Sequence, residues 1–245
     1  MSFIENNSPT KEIFDNLLQL FNSKKFVELE KQLTELLKNY PKSYPLYNLQ
    51  GAYKKIIGDF DKAEIAFKEA IKISDKTPEA YNNLGLLYID QKRIDDSIYC
   101  FNQAIKNNPN NPFFLNNLGN ALAQKNLTDK ALNNFKKALT INQSFFLAHN
   151  NIGIIQNRLK NFKEAIKSFN EAISIEKNFA EGYMNLGSAY FEIGEVGLAL
   201  KNYTIAIQKD PKSAKAYNNF GNILKDQGLY NEAIKSYQIS INLQP

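Results

Sequence analysis

Asparagine recurs at a fixed interval along most of this 245-residue chain. A carboxamide has one acceptor oxygen and two N–H donors, so it can pair with both the N–H and the C=O of an extended peptide backbone. Asn is also a poor residue for a helix interior, so a regular row of it needs an explanation. A row of these side chains could therefore bind an extended peptide through hydrogen bonds to its backbone. Its members, each 34 residues from the next, are Asn83, Asn117, Asn151, Asn185 and Asn219.

Two alternatives to peptide binding stay open for this row. The first is composition, because Asn is abundant throughout, with 33 copies and adjacent pairs at 107–108, 110–111 and 133–134. General enrichment, however, does not account for five of six occurrences at one position of a fixed frame. The second alternative is that the row bridges neighbouring helices or ordered water. Binding of an extended chain is the interpretation we favour.

Other chemistry is limited by the presence of one cysteine, Cys100, and one histidine, His149. These two residues cannot supply the usual Cys/His ligand sets of zinc or an intramolecular disulfide. A Cys/His nucleophilic pair is confined to them, and we expect inert packing for both. Gly194 and Gly197 do not form a phosphate-binding motif after a strand. We therefore expect no enzyme activity, no metal or cofactor, and no small-molecule substrate.

A 34-residue period organises the chain from residue 44 onward. If each glycine at this interval is numbered position 8, position 20 is small and position 24 is aromatic in every unit. These spacings place positions 4, 7, 8 and 11 on one face of a first helix, and 20, 24 and 27 on one face of a second. We expect Gly at 8 to cross Ala at 20 closely, with the aromatic residue at 24 filling the space beside the crossing. We expect position 15 to end the first helix in a left-handed conformation. The glycines are Gly51, Gly85, Gly119, Gly153, Gly187 and Gly221.

This pattern resembles the tetratricopeptide repeat. The resemblance implies an all-α solenoid, a right-handed superhelix of antiparallel helix pairs in which positions 2, 5, 6, 9, 12 and 13 of the first helices line a groove. The frame continues weakly upstream, where Leu17 and Leu29 replace Gly and Ala, as suits an N-terminal cap. The predicted organisation is an irregular N-terminus at 1–9, a degenerate capping helix pair at 10–43, and repeats at 44–77, 78–111, 112–145, 146–179, 180–213 and 214–245.

The repeats are most similar to those of O-linked N-acetylglucosamine transferases, in segments such as 116–122 and 218–228. That resemblance implies that the position-6 asparagines contact peptide backbone; Leu49 departs from the pattern. We add the groove residues Asn120, Asn222 and Arg158 to the predicted peptide-binding set. The catalytic domain of those transferases has no counterpart in these 245 residues, so their activity is not implied. The alternative to a stand-alone scaffold is that this chain is the substrate-recruiting N-terminal domain of a larger glycosyltransferase-like or other transferase. The chaperone carboxylate clamp is not expected, because position 5 is never Lys and position 6 is never Arg.

Charge argues against nucleic acid as the partner. The chain carries 30 Lys and Arg against 25 Asp and Glu, a net charge of +5. The predicted groove positions hold four bases (Lys55, Arg158, Lys215, Lys225) and five acids (Glu79, Asp90, Glu181, Glu192, Asp226). A surface that follows phosphates should be strongly positive. RNA binding is therefore a minor alternative, and the expected partner is a protein or an extended peptide.

The ends of the chain complete the predictions. The N-terminus is polar and acidic, and no apolar stretch approaches the roughly 18 residues of a membrane span, so we expect a cytoplasmic protein that does not bind membranes. Arrays of this kind usually close with an extra helix, and none fits after Leu243. We expect the chain either to be a fragment of a longer protein or to self-associate through its last repeat.

Overall fold

The structure, a computed structural model, describes residues 8–244. Most of the predicted irregular segment 1–9 and the final Pro245 lie outside the described residues. Residues 8–244 contain fourteen α-helices and no strand, so the predicted all-α fold is confirmed. In chain order, the helices are α1 (Lys11–Asn22), α2 (Phe26–Asn39), α3 (Tyr44–Ile56), α4 (Phe60–Ile73), α5 (Pro78–Asp90), α6 (Ile94–Asn107), α7 (Pro112–Gln124), α8 (Thr128–Ile141), α9 (Phe146–Arg158), α10 (Phe162–Ile175), α11 (Ala180–Glu192), α12 (Val196–Lys209), α13 (Ala214–Asp226) and α14 (Tyr230–Leu243).

The chain divides into two compact units, Met1–Asn126 and Leu127–Pro245. In the first unit, α3 packs on α4 and α5 on α6, and the first helices α3, α5 and α7 also contact one another in succession. In the second unit, α9 packs on α10, α11 on α12 and α13 on α14, and the first helices α9, α11 and α13 are again neighbours. Each unit is therefore a stack of helix pairs whose first helices lie side by side.

Left-handed residues end the first helices, as the sequence predicts. All six residues at position 15 have positive φ, including Lys92 at 61° and Lys160 at 63°. Lys24 also has a positive φ, 57°, and occupies position 15 of the degenerate N-terminal segment. The capping segment thus turns at the same place in the 34-residue frame as the regular units do.

The repeated spacing of glycine and aromatic residue explains how each helix pair closes. A β-carbon added at Gly51 would lie 2.6 Å from the ring of Phe67, and one at Gly153 would lie 2.5 Å from the ring of Phe169. A β-carbon added at Gly187 would also lie 3.3 Å from the backbone oxygen of Ala199 at position 20, and the ring at position 24 fills the space beside the crossing, as the sequence predicts. The alanines are fully buried beside it, as Ala63 and Ala165 show.

The capping pair α1 and α2 packs differently. Leu17 and Leu29, which replace Gly and Ala, are both fully buried. Because two leucines are bulkier than Gly and Ala, the backbones of α1 and α2 approach each other less closely than those of the regular pairs. Lys54 of α3 is buried against this cap and donates to Glu30 Oε1 at 2.6 Å.

Candidate functional site

Asparagine pairs connect the first helices of the first unit. Asn83 of α5 donates from Nδ2 to Asn48 Oδ1 of α3 at 3.0 Å. Asn117 of α7 donates in the same way to Asn82 Oδ1 of α5 at 2.8 Å. In both pairs, position 6 of one repeat donates to position 5 of the preceding repeat. The position-6 asparagines therefore bridge adjacent helices, which was one of the alternatives left open by the sequence.

The second unit repeats this bond once and then replaces it. Asn185 of α11 donates to Asn150 Oδ1 of α9 at 3.0 Å, and Asn150 is buried. Position 5 of the next pair is Met184, which has no acceptor for Asn219. Asn219 instead lies beside the hydroxyl of Tyr203 and lowers the pKa of that phenol, although burial raises it overall. The Tyr203 hydroxyl is also hydrogen-bonded to Ser188 Oγ at 2.6 Å.

The remaining predicted site residues lie on first helices in different surroundings. Asn151 of α9 and Asn120 of α7 are half-buried. Asn222 of α13 is exposed, and its Oδ1 accepts a hydrogen bond from the Tyr237 hydroxyl at 2.8 Å. Arg158, the last residue of α9, is also exposed. The structure thus pairs some of these side chains with neighbouring residues and leaves others facing solvent.

The paired carboxamides retain part of their hydrogen-bonding capacity. Asn83, Asn117 and Asn185 are each half-buried. Each uses one N–H for the inter-repeat bond, and within residues 8–244 the Oδ1 acceptor makes no hydrogen bond. Each amide therefore still has its Oδ1 acceptor and its second Nδ2–H donor. These two groups can pair with the N–H and the C=O of a peptide backbone.

Position 5 has a structural role between neighbouring helices, which the sequence prediction missed. Asn48, Asn82 and Asn150 act as acceptors, and Asn116 and Asn150 are buried. The prediction that position 5 faces the groove was wrong for Asn116 and Asn150, since their burial shows that they lie between helices. The signal was available, because Asn recurs at both positions 5 and 6 and the paired residues are 35 apart in the chain.

Charges on this surface partly neutralise each other. Lys55 of α3 forms an ion pair with Asp90 of α5, with 2.6 Å between Nζ and Oδ2. Both residues occupy positions that the repeat frame assigns to the groove. A pairing of this kind reduces the number of free cations that could contact phosphates.

The described residues hold no cluster of three or more His, Cys, Asp or Glu side chains that could bind a metal ion. Cys100 of α6 is buried, and burial raises the pKa of its thiol to about 12, so the thiolate nucleophile is scarce at neutral pH. His149 of α9 is half-buried, and its Nε2 lies 3.1 Å from the carbonyl oxygen of Gln143. None of the helices between residues 8 and 244 is long and apolar enough to cross a membrane.

A cavity of about 530 Å³ opens beside the Asn48–Asn83 pair in the first unit. Its apolar wall includes Phe14, Leu18 and Phe21 of α1 together with Leu49 of α3. Leu49 is the one position-6 residue that is not Asn, so the row of carboxamides ends where this cavity begins. The polar lining includes Asn48, Thr77 and Glu79. We call this cavity the cap pocket.

Stacked antiparallel helix pairs and a 34-residue period define an α-helical repeat protein. Models described as tetratricopeptide repeat match residues 44–77, 78–111, 100–133 and 214–245. A model described as TPR repeat matches residues 119–160, 157–194 and 187–228. Together they span residues 44–245, and the chain belongs to the tetratricopeptide repeat family. No curated protein matches the sequence significantly.

Solved structures share the fold at low sequence identity. A tetratricopeptide repeat protein from Parabacteroides merdae superposes with a TM-score of 0.79 at 19% identity, over 96% of this chain and 93% of that one. The APC/C hetero-tetramer Cut9-Hcn1 gives a TM-score of 0.81 at 17% identity; the match covers 94% of this chain and 45% of that chain, under half its length. YrrB, described as a TPR protein with an unusual peptide-binding site, gives 0.55 at 18% identity, over 75% of this chain and 95% of its own.

These likenesses confirm the solenoid fold. The family is typical of protein-interaction scaffolds, and this chain has that architecture. The finer resemblance to repeats of O-linked N-acetylglucosamine transferases stays a prediction from the sequence.

Proposed function

We propose that this protein is an interaction scaffold that binds an extended peptide segment along its first helices through the position-6 asparagines. The observation that carries the proposal is the inter-repeat bond of Asn83, Asn117 and Asn185, which fixes each carboxamide while leaving its Oδ1 unpaired within residues 8–244. A side chain that is already held in place loses less conformational entropy when it binds a ligand. Asn120, Asn151, Asn219, Asn222 and Arg158 complete the proposed contact set.

The inter-repeat bond complicates a simple alanine test, because removing a position-6 amide also removes a bond between helices. Position 5 offers a matched control. Asn82→Ala breaks the same bond as Asn117→Ala but leaves the Asn117 carboxamide available to a ligand. Asn150→Ala and Asn185→Ala form a second pair of this kind.

The test begins with peptides selected from a random phage-displayed library on the full chain, and measures their affinity by fluorescence anisotropy. We expect Asn117→Ala and Asn185→Ala to weaken binding about fivefold or more each, the value of a lost hydrogen bond. The position-5 controls should weaken it less. The triple substitution of Asn117, Asn151 and Asn185 by Ala should retain its helicity in circular dichroism. Equal losses at positions 5 and 6, or unchanged affinities, would refute the peptide-binding role.

We also propose self-association through α14. Ile234 and Ile241 are 53% and 63% exposed, whereas Leu200 and Ile207, at the same positions of the preceding repeat, are half-buried beneath the next helix pair. An apolar face of this kind favours association. Light scattering after size exclusion should give a mass above 28.0 kDa that falls to the monomer in the Ile234→Lys, Ile241→Lys double variant. A monomeric wild type would exclude it.

RNA binding, the minor alternative, has a distinguishable consequence. It predicts an affinity that falls steeply with salt concentration, whereas the proposed peptide contacts are uncharged amides and predict a shallow dependence. Recruitment of substrates for a transferase, and residence in the cytoplasm, stay predictions from the sequence.

A further inference from the structure

The cap pocket differs in chemistry from the rest of the first-helix surface. Its walls are the side chains of Phe14, Leu18, Phe21 and Leu49, with Pro45 and Ala52 beside them. Leu18 is 36% exposed and Tyr44 is 41% exposed, so apolar surface at this site is open to solvent. A volume of about 530 Å³ lies within the range of pockets that bind drug-sized ligands, and it is ample for a bulky side chain.

One unpaired charge lies at the pocket. Glu79, at position 2 of α5, is exposed and makes no hydrogen bond or ion pair within residues 8–244. Nearby charges are compensated, since Lys55 pairs with Asp90 and Lys54 with Glu30. An uncompensated carboxylate next to an apolar cavity favours a ligand that places a cation beside an apolar group.

The pocket and the asparagine row are continuous. Asn48 lines the pocket and also accepts the hydrogen bond from Asn83, the first position-6 asparagine. A peptide whose backbone contacts Asn83 and Asn117 would therefore reach the pocket with its next residues. Backbone contacts alone tolerate any sequence, whereas a pocket of defined shape and charge selects one.

We infer that the cap pocket is the specificity site of the proposed peptide surface, and that it takes a bulky apolar side chain with a Lys or Arg next to it in the bound segment. This inference rests on the proposed function. The apolar side chain packs among Leu18, Phe21 and Leu49, and the basic residue pairs with Glu79. The asparagine row then holds the backbone that follows.

The experiment uses the random peptide library on the wild-type chain, followed by affinities of one selected peptide for variants. We expect the selected sequences to be enriched in Phe, Leu, Ile or Met with Lys or Arg at a neighbouring position. Leu18→Asn should weaken binding of such a peptide about tenfold, as expected for one apolar side chain left without its packing. Glu79→Lys should weaken it by a similar factor, and less at high salt. Replacing the basic residue of the peptide by Gln should remove the effect of Glu79→Lys.

Matched controls separate the pocket from general surface effects. Ile65→Asn removes a side chain that is 63% exposed on α4, outside the pocket. Glu171→Lys reverses an exposed charge on the second helix α10, which holds no predicted groove position. Neither should alter affinity. Because Glu79 is exposed, its variants test the inference even if Leu18→Asn does not fold.

The outcomes distinguish this inference from the proposed function. Peptides that lose affinity with Asn117→Ala but carry no apolar and basic pair, or that are insensitive to both pocket variants, would overturn the specificity site and leave the peptide surface standing. Failure to select any binding peptide would overturn both.

Discussion

Asn117 donates a hydrogen bond to Asn82, which lies 35 residues earlier in the chain and 2.8 Å away in space. The bond joins two first helices of neighbouring repeats, and Asn83 with Asn48 and Asn185 with Asn150 repeat it. A residue that is unfavourable in a helix thus gains a partner from the next helix. The asparagines therefore contribute to the register of the stack as well as to the proposed binding surface.

The Asn117–Asn82 bond should be measurable as a coupling energy. We expect Asn82→Ala and Asn117→Ala to be non-additive, with an interaction of about 0.5–1.5 kcal/mol in urea unfolding, the usual contribution of one hydrogen bond. The single variants gain some helix propensity from Ala, so the coupling is more informative than either single change. Additive effects would mean that the bond does not stabilise the native stack.

The aromatic residue at position 24 leaves no room for a side chain at the glycine opposite it. Gly153→Ala would bring a methyl group to 2.5 Å from the ring of Phe169, which is almost fully buried. We expect a loss of about 1–3 kcal/mol in the free energy of unfolding, the range for overpacking a filled core.

Gly197 provides the control for this change, because an added β-carbon there meets nothing within 4 Å. Gly197→Ala on α12 should be neutral or stabilising by up to about 1 kcal/mol, the difference in helix propensity. Of the two variants, Gly153→Ala alone should lower the urea midpoint. A Gly153→Ala protein as stable as the wild type would contradict the close packing.

Much of the fold was predictable from the 34-residue period of the sequence. Gly, Ala and the aromatic residue at fixed positions specify helix pairs, and the left-handed turn at position 15 follows from their spacing. The contact of Gly51 with Phe67 was predictable too, since an aromatic residue recurs at the same interval after each repeat glycine. The inter-repeat amide bonds were recognised only as an alternative, because a single sequence does not show which carboxamide faces which. The cap pocket depends on side chains from three helices, which no local pattern brings together.

Two lysines, Lys92 and Lys160, occupy left-handed turns where three other repeats have glycine and one has Asn126. Lys92 has a φ of 61°, and the β-carbon makes this conformation unfavourable for any L-residue. Its side chain makes no ion pair within residues 8–244 that would offset the cost. We expect Lys92→Gly to raise the free energy of unfolding by about 0.5–1 kcal/mol, after allowing for the greater entropy of glycine in the unfolded chain.

The control is Lys92→Ala, which removes the same charge but keeps the β-carbon, and should give no gain. Differential scanning calorimetry on the three proteins would measure the difference. A gain in both variants would assign the effect to charge and not to the backbone.

The ion pair between Glu30 and Lys54 should make the attachment of the cap sensitive to acid. Lys54 is 7% exposed at its side chain, while Glu30 is 52% exposed and accepts its hydrogen bond at 2.6 Å. That hydrogen bond lowers the pKa of Glu30 below its ordinary 4.5. A carboxyl group with a lowered pKa in the folded state stabilises the protein above its unfolded pKa, and this contribution is lost as the pH falls through the folded value.

We therefore expect Glu30→Gln to cost about 1 kcal/mol at neutral pH, a modest value because one partner is half-exposed. The difference from wild type should shrink as the pH falls below 4.5, because protonated Glu30 is then as neutral as Gln. Urea unfolding of both proteins across this range would measure it. In a Lys54→Gln background, which lacks the partner of Glu30, the Glu30→Gln substitution should show no such trend. A difference that stays constant into acid would show that Glu30 acts through packing and not through its charge.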